Sequence, residues 1–309
     1  MRIAVVDIGT NSTRLLVGDV RDGSVSELER RSVVTRLGEG VDSSGRLAEP
    51  AIERVMKVLG EFRSEIDRHE AEGVVAVATS AVRDSANGDE FRAAIHDRFD
   101  IEVRTISGDE EARLTFLGAT ARRDPAAGPT LVLDIGGGST ELVVGRPGAD
   151  PGFHLSTQAG SVRQTERHLH DDPPSGSELE SLRDEVAGIF EDAIPAAVRD
   201  EVDHGIAVAG TVTSLAAIDQ SLDPYDADRV DGYPLTRDAC ERMLAKLASI
   251  PVSERRNVTG LHPDRAPTIV AGAAILVEAM EAFSLGAMEA SEADILHGAA
   301  ISVAATRKG

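Results

Sequence analysis

The sequence predicts an α/β protein built from two lobes, and three observations carry that expectation. The chain has 309 residues, about twice the usual size of one folding unit. Aromatic residues are only 3% of a composition that is 41% hydrophobic, so the core must come from Val, Ile, Leu and Ala, a palette suited to alternating strands and helices. One twelve-residue segment also occurs twice. Asp7-Ile-Gly-Thr-Asn-Ser-Thr-Arg-Leu-Leu-Val-Gly18 aligns without gaps with Asp134-Ile-Gly-Gly-Gly-Ser-Thr-Glu-Leu-Val-Val-Gly145, and the copies differ only at Thr10/Gly137, Asn11/Gly138, Arg14/Glu141 and Leu16/Val143.

Each copy follows an apolar strand, Ile3 to Val6 or Leu131 to Leu133, and runs on into a second strand-like segment. The repeated unit is therefore a β-hairpin, one per lobe. Between the copies, Ile52, Val55, Met56, Leu59, Phe62 and Ile66 recur at helical spacing, and Val74 to Ala78 and Ile101 to Ile106 read as strands. The stretch Arg122-Arg-Asp-Pro-Ala-Ala-Gly-Pro129 is rich in breakers and places the lobe boundary at 124/125, giving lobes 1–124 and 125–309. Beyond it the pattern predicts a long helix around Glu178 to Val198, a strand Ile206 to Ala209, and helices starting near Val212, Arg237 and Ala266. A last helix, starting near Ala293, is a candidate to pack back on the first lobe.

Net charge is −21, and all basic residues except Lys57, Lys246 and Lys308 are arginines. A uniformly acidic surface repels nucleic acid and anionic membranes, so neither is an expected partner. A polyanionic substrate would need arginines, backbone amides and metal ions to reverse the field locally. The single cysteine, Cys240, excludes an internal disulfide and a cysteine zinc cage, and the pair His168 and His170 is expected on a solvated helix or loop. The longest apolar run, Ile269 to Val277, is too short to span a bilayer, and a cytoplasmic location is expected.

The glycine-rich turns are the strongest chemical signal. Without Cβ atoms at Gly136, Gly137 and Gly138 the chain can approach a phosphate closely and offer it backbone N–H groups. One such turn could be an ordinary hairpin; a duplicated one favours phosphate binding. No Gly-x-x-x-x-Gly-Lys-Ser/Thr occurs, and neither turn is a Gly-x-Gly-x-x-Gly opening a helix, which disfavours P-loop and dinucleotide folds. Asp134 and Glu141, with Asp7 as the first-lobe counterpart, are candidate ligands for Mg²⁺, or alternatively Mn²⁺, because hard cations take oxygen donors; turn capping would explain the same residues. Asn11, Ser12, Ser139 and Thr140 can donate to phosphate oxygens, although they also suit turns.

The hairpin wording, with three further segments, resembles the exopolyphosphatase and guanosine pentaphosphate phosphatase family, in its short two-domain form. Those segments are Ala78-Thr-Ser-Ala-Val-Arg83, Ser107-Gly-Asp-Glu-Glu-Ala-Arg113 and Ala209-Gly-Thr-Val-Thr-Ser214, and the match continues to Ala290-Ser-Glu-Ala-Asp-Ile-Leu-His-Gly298. The resemblance implies two actin-like, ribonuclease H-like domains with an interdomain cleft, and a phosphoanhydride hydrolase releasing terminal orthophosphate from inorganic polyphosphate. It implies Glu111 as the general base; without it, Asp109, Glu110 and Glu111 would read as residues favouring a helix N-terminus through its dipole. It implies phosphate contacts from Arg83 and Arg265, and contacts to a distal phosphate or nucleotide from Gly210 and Thr211. A homodimer is a candidate assembly. Ala209 stands where many relatives carry a glycine, and Asp231 where a histidine is expected. Guanosine pentaphosphate is the alternative substrate, and a superfamily ATP-dependent kinase or a non-catalytic polyphosphate or alarmone sensor are the rival classes.

Overall fold

A computed structural model describes residues 1–124 and 126–306. The expected lobe boundary touches residue 125, which with 307–309 lies outside the described residues. In chain order the elements are β1 (Arg2–Ile8), β2 (Ser12–Arg21), β3 (Ser24–Val34), α1 (Val41–Ser44), α2 (Glu49–Arg68), β4 (Gly73–Ala78), α3 (Ser80–Arg83), α4 (Gly88–Phe99), β5 (Val103–Thr105) and α5 (Gly108–Thr120). There follow β6 (Thr130–Ile135), β7 (Thr140–Gly145), β8 (Phe153–Thr157), α6 (Ser161–His168), α7 (Gly176–Ala193), α8 (Ala196–Asp200), β9 (His204–Val208) and α9 (Ala209–Asp219). The chain ends through α10 (Ala227–Val230), β10 (Pro234–Thr236), α11 (Arg237–Ala248), α12 (Val252–Arg255), a 3₁₀ turn Pro263–Arg265, α13 (Ile269–Ala282), β11 (Ala287–Ala290) and α14 (Ile295–Thr306).

Two compact α/β units emerge, Met1–Arg122 together with the chain from Asp294 onward, and Arg123–Ala293. The first sheet has the order β3-β2-β1-β4-β5, the second β8-β7-β6-β9-β11 with β10 added at its edge. In both, an antiparallel three-stranded meander is continued by parallel strands. The sequence echo is thus an echo of whole sheets, as expected for two ribonuclease H-like domains.

The centre of the first sheet is buried on both faces, which is why β1 reads as a continuous apolar run. Ala4, Val6 and Ile8 pack with Val55, Leu59 and Phe62 of α2, while Ile3, Val5 and Leu16 pack with Leu296, Ala299 and Ala300 of α14. Close approach of α14 to α5 depends on missing side chains: a Cβ on Gly118 would overlap the Asp294 carbonyl oxygen, and one on Gly298 the Leu114 carbonyl oxygen. In the second unit α13 is the apolar run noted in the sequence, buried at every position from Ile269 to Met280. A helix apolar nearly all round is a central core helix, and its one buried carboxylate, Glu278, accepts from Arg183 Nε at 2.5 Å.

Several expected boundaries shift for local reasons. The helix expected over Glu178 to Val198 begins at Gly176, because Ser175 and Glu178 form a reciprocal capping box. Backbone N–H groups of Ser175 and His170 hold the Glu178 carboxyl at about 2. It ends at Ala193, since Ile194 before Pro195 takes an extended conformation and α8 starts afresh. The helix expected near Val212 starts earlier, at Ala209; the one expected near Ala266 starts at Ile269, after the 3₁₀ turn. The last begins at Ile295, where Asp294 Oδ1 accepts from Leu296 N at 3.0 Å.

Candidate functional site

In open α/β sheets, ligands meet the carboxyl ends of parallel strands, and each unit collects its motifs there. In the first unit Asp7 and Ile8 of β1 lie beside Val77 and Ala78 of β4, and Ala78 beside Thr105 of β5. The first hairpin turn, the segment ending in Arg83 and the segment leading to Glu111 therefore leave one sheet edge. In the second unit Asp134 of β6 pairs with Val208 of β9, so the second hairpin turn and the Ala209–Gly210 turn share an edge.

The two hairpin turns close alike: Gly9 N donates to Ser12 O at 3.0 Å and Gly136 N to Ser139 O at 3.0 Å. Their carbonyls face into the protein. Asn11 O accepts from Thr35 N and Arg36 N, both at 2.9 Å, and Thr10 O from Gly38 N at 2.8 Å. Gly136 O accepts from Ser161 N at 2.9 Å, and Gly137 O from Val162 N at 2.8 Å and Arg163 N at 3.1 Å. Among the described residues no backbone carbonyl takes the N–H groups of Thr10, Asn11, Gly137, Gly138 or Ser139. Successive amides left in this way form an anion-binding nest.

Arg83 and Glu111 are brought together. Glu111 sits in the first turn of α5, which Ser107 caps by accepting from Glu110 N at 3.1 Å. Its side chain is 10% exposed, and Arg83 Nη1 lies 3.4 Å from Glu111 Oε2 while also donating to Ile106 O at 3.0 Å. Glu110 instead turns outward and accepts from Arg104 at 2.7 Å. Environment thus separates two adjacent glutamates that look equivalent in sequence.

Asp134 and Glu141 stand directly opposite each other on β6 and β7, both almost wholly buried, and Ser156 Oγ donates to Glu141 Oε1 at 2.8 Å. Carboxylates opposed across a ladder repel, and a pair this buried suits a hard cation with oxygen ligands. In the first hairpin the same two positions are Asp7 and Arg14. Arg14 Nε and Nη2 donate to Asp7 Oδ2 at 2.8 and 2.6 Å, and Arg14 also bonds Asp294. Asp7 Oδ1 is buried with no hydrogen-bond partner, and burial, ahead of the opposing pull of Arg14, raises the Asp7 carboxyl above its ordinary value. The Asp7 site therefore carries one uncommitted oxygen, already beside a guanidinium.

Among the other expected contacts, Asn11 and Ser12 are half-buried in the first turn and Ser139 is buried in the second. Thr140 is corrected: its hydroxyl donates to Ala159 O at 2.5 Å and the residue is fully buried, so it ties the hairpin to the segment before α6 instead of donating to phosphate. Gly210 and Arg265 come together, since a Cβ on Gly210 would fall on the Arg265 guanidinium, while Thr211 packs against α13, where a Cβ on Gly272 would overlap its side chain. Ala209 adopts φ +70°, which explains why a glycine suits that position. Asp231 Oδ1 accepts from Glu292 N at 2.9 Å and Ser291 Oγ at 3.2 Å, a role in holding the loop after β11. His168 is half-buried, with Nε2 2.7 Å from Glu185 Oε2 and Nδ1 3.2 Å from Ser181 Oγ, while His170 is exposed.

Sequence reasoning missed Gly38, Gly160, Arg14, Asp294 and Arg163. The Arg14 exchange for Glu141 was visible in the echo; the others are recognisable only once the chain is folded. A separate trio, Glu29, Glu65 and His69, has metal-compatible spacing, but Arg31 and Arg68 pair with both carboxylates and supply their counter-charge. No helix among the described residues is long and apolar enough to cross a membrane.

The model of the Ppx/GppA phosphatase family matches residues 16–306. "Exopolyphosphatase 2" of Mycobacterium tuberculosis is 37% identical over 98% of both chains, and "Exopolyphosphatase 1" of Mycobacterium bovis is 32% identical over 94% of this chain and 84% of its own. Among solved structures, the Aquifex aeolicus member of the Ppx/GppA family superposes with TM-score 0.84 at 31% identity, covering 100% of this chain and 99% of that one. By sequence and by fold, the chain belongs to the Ppx/GppA phosphatase family.

Proposed function

We propose that the protein is an exopolyphosphatase that releases terminal orthophosphate from inorganic polyphosphate by attack of water. The observation that carries this reading is the duplicated hairpin turn whose carbonyls point inward and whose amides are left for an anion. The mycobacterial relatives named as exopolyphosphatases support the choice of polyphosphate.

In this reading the amides of Thr10, Asn11, Gly137, Gly138 and Ser139, with the side chains of Asn11, Ser12 and Ser139, receive phosphate oxygens. Arg83 adds a planar fork of donors, which an acidic protein needs for an anionic substrate. Glu111 accepts the proton of the attacking water as its oxygen bonds to the terminal phosphorus; the anhydride P–O bond breaks and the shortened chain leaves with the bridging oxygen. Arg83 keeps Glu111 in place beside the substrate. Gly210, Thr211 and Arg265 are assigned to a more distal phosphate. Asp134 and Glu141 would hold Mg²⁺ or Mn²⁺ on the second unit, and Asp7 Oδ1 is the candidate oxygen donor of the first. The bound ion would neutralise charge on the phosphate oxygens.

Guanosine pentaphosphate presents the same terminal phosphate, so the test runs both substrates. Phosphate release from each is measured side by side with Mg²⁺, with Mn²⁺ and with chelator. A higher kcat/KM for polyphosphate, abolished by chelation, supports the reading. Faster release from guanosine pentaphosphate would reassign the substrate, and binding without release from either would make the protein a sensor.

A further inference from the structure

The second hairpin turn is held differently from the first, and the difference bears on phosphate affinity. Its three inward carbonyls are all taken by the segment that opens α6. Gly136 O accepts from Ser161 N at 2.9 Å and Ser161 Oγ at 3.2 Å. Gly137 O accepts from Val162 N at 2.8 Å and Arg163 N at 3.1 Å, and Gly138 O from Arg163 Nε at 2.8 Å. Each of these carbonyls shares a peptide group with an outward N–H, namely that of Gly137, Gly138 and Ser139 in turn. Hydrogen bonds along one peptide reinforce each other: a donor on the C=O polarises the group and strengthens its N–H. A cationic donor does this most. At the first turn the carbonyls of Thr10 and Asn11 take backbone donors from Gly38, and from Thr35 and Arg36.

The approach is tight enough to need glycine. A Cβ on Gly160 would overlap the Gly137 carbonyl oxygen, the Gly138 carbonyl carbon and the Ser139 nitrogen. Nothing short of glycine lets α6 begin where its first N–H groups reach the turn.

We propose that Arg163 is a positioning residue for phosphate binding, which acts through the Gly138–Ser139 peptide to fix and polarise the amide donors of the second turn. This rests on the turn being a phosphate site, as in the function proposed above. Arg163 sets affinity for the anion and leaves proton transfer at Glu111 alone. Loss of one charge-assisted hydrogen bond behind the turn should weaken phosphate binding about tenfold, the equivalent of 1.4 kcal/mol.

The test is a kinetic comparison of wild type, Arg163→Gln and Arg163→Lys, paired with calorimetric titration of tripolyphosphate in the presence of Mg²⁺. Arg163→Gln should raise KM, the inhibition constant of inorganic phosphate and the tripolyphosphate Kd together, about tenfold, with kcat little changed. Arg163→Lys should recover part of the loss, and it keeps the test open if the Gln variant does not fold. A fall in kcat with KM and phosphate inhibition unchanged would overturn the proposal, as would loss of melting temperature with no change in affinity. If wild type hydrolyses neither substrate the proposed function fails, yet a tripolyphosphate affinity that falls in Arg163→Gln still upholds this inference and an unchanged one still rejects it.

Discussion

Glu111→Gln separates chemistry from architecture at the residue on which the proposed reaction turns. The amide keeps the shape of the carboxyl, so α5 and its Ser107 cap should be undisturbed. Arg83 loses the attraction of Glu111 Oε2 at 3.4 Å but keeps Ile106 O at 3.0 Å. Removing one member of a largely buried pair costs stability, while removing a buried charge returns some; with the pair 23% and 10% exposed and its geometry long, the net effect should stay within about 1 kcal/mol. For a protein of 309 residues that is a melting shift of roughly 1–2 °C. Turnover should fall far more, by roughly 10²–10⁴, because the general base is gone. The assay is phosphate release at saturating polyphosphate, with melting and tripolyphosphate affinity measured on the same preparation. Glu110→Gln, which disturbs only an outward pair with Arg104, is the control and should be nearly neutral. Near-normal turnover in Glu111→Gln, or a larger loss in Glu110→Gln, would refute the assignment.

Three further outcomes follow from packing and charge. Gly118→Ala should cost about 2 kcal/mol, because overpacking against the Asp294 carbonyl, which cannot yield, outweighs the better helix propensity of alanine; an unchanged melting temperature would mean that α5 and α14 pack less tightly than described. Ala209→Gly should raise stability by roughly 0.5–1 kcal/mol in urea titration, since the φ of +70° penalises alanine more than glycine's extra chain entropy; a loss would show the alanine methyl to be needed. His297 is buried, which lowers its pKa, but Asp294 and Glu27 outweigh that and raise it, with Arg30 opposing; Nε2 lies 2.9 Å from Glu27 and Nδ1 3.8 Å from Asp294. A raised folded value gives stability that is complete below pH about 6.5 and lost as pH climbs through it, so His297→Gln should flatten the decline of melting temperature on the alkaline side. An unaltered profile would place that decline elsewhere.

The parts of the fold legible in the sequence were those fixed by local pattern. The hairpin echo survives as paired sheets because the Asp-Ile-Gly turn and the strands around it are specified within twelve residues. The helix of Ile52 to Ile66 was readable from its spacing alone. Boundaries moved where a single residue decides, as at Ser175, Pro195 and Asp294, whose capping or steric effect outweighs apolar periodicity. The residues behind the hairpin turns stayed hidden for a different reason. Gly160 matters because of what a side chain would strike, and Arg163 because of a carbonyl 25 residues away along the chain; neither relation exists before the chain folds. The distinction between Glu110 and Glu111 came from resemblance; their surroundings, one beside Arg83 and the other paired outward with Arg104, exist only once the chain folds.

The most direct test of water attack on a terminal phosphate is polyphosphate breakdown in ¹⁸O-labelled water with no nucleotide present. The proposed reaction predicts released orthophosphate carrying one solvent oxygen per turnover, with residual chains shortened from their ends. Release that requires a nucleotide or sugar acceptor, or orthophosphate without solvent oxygen, would contradict hydrolysis and return the protein to the phosphoryl-transfer class.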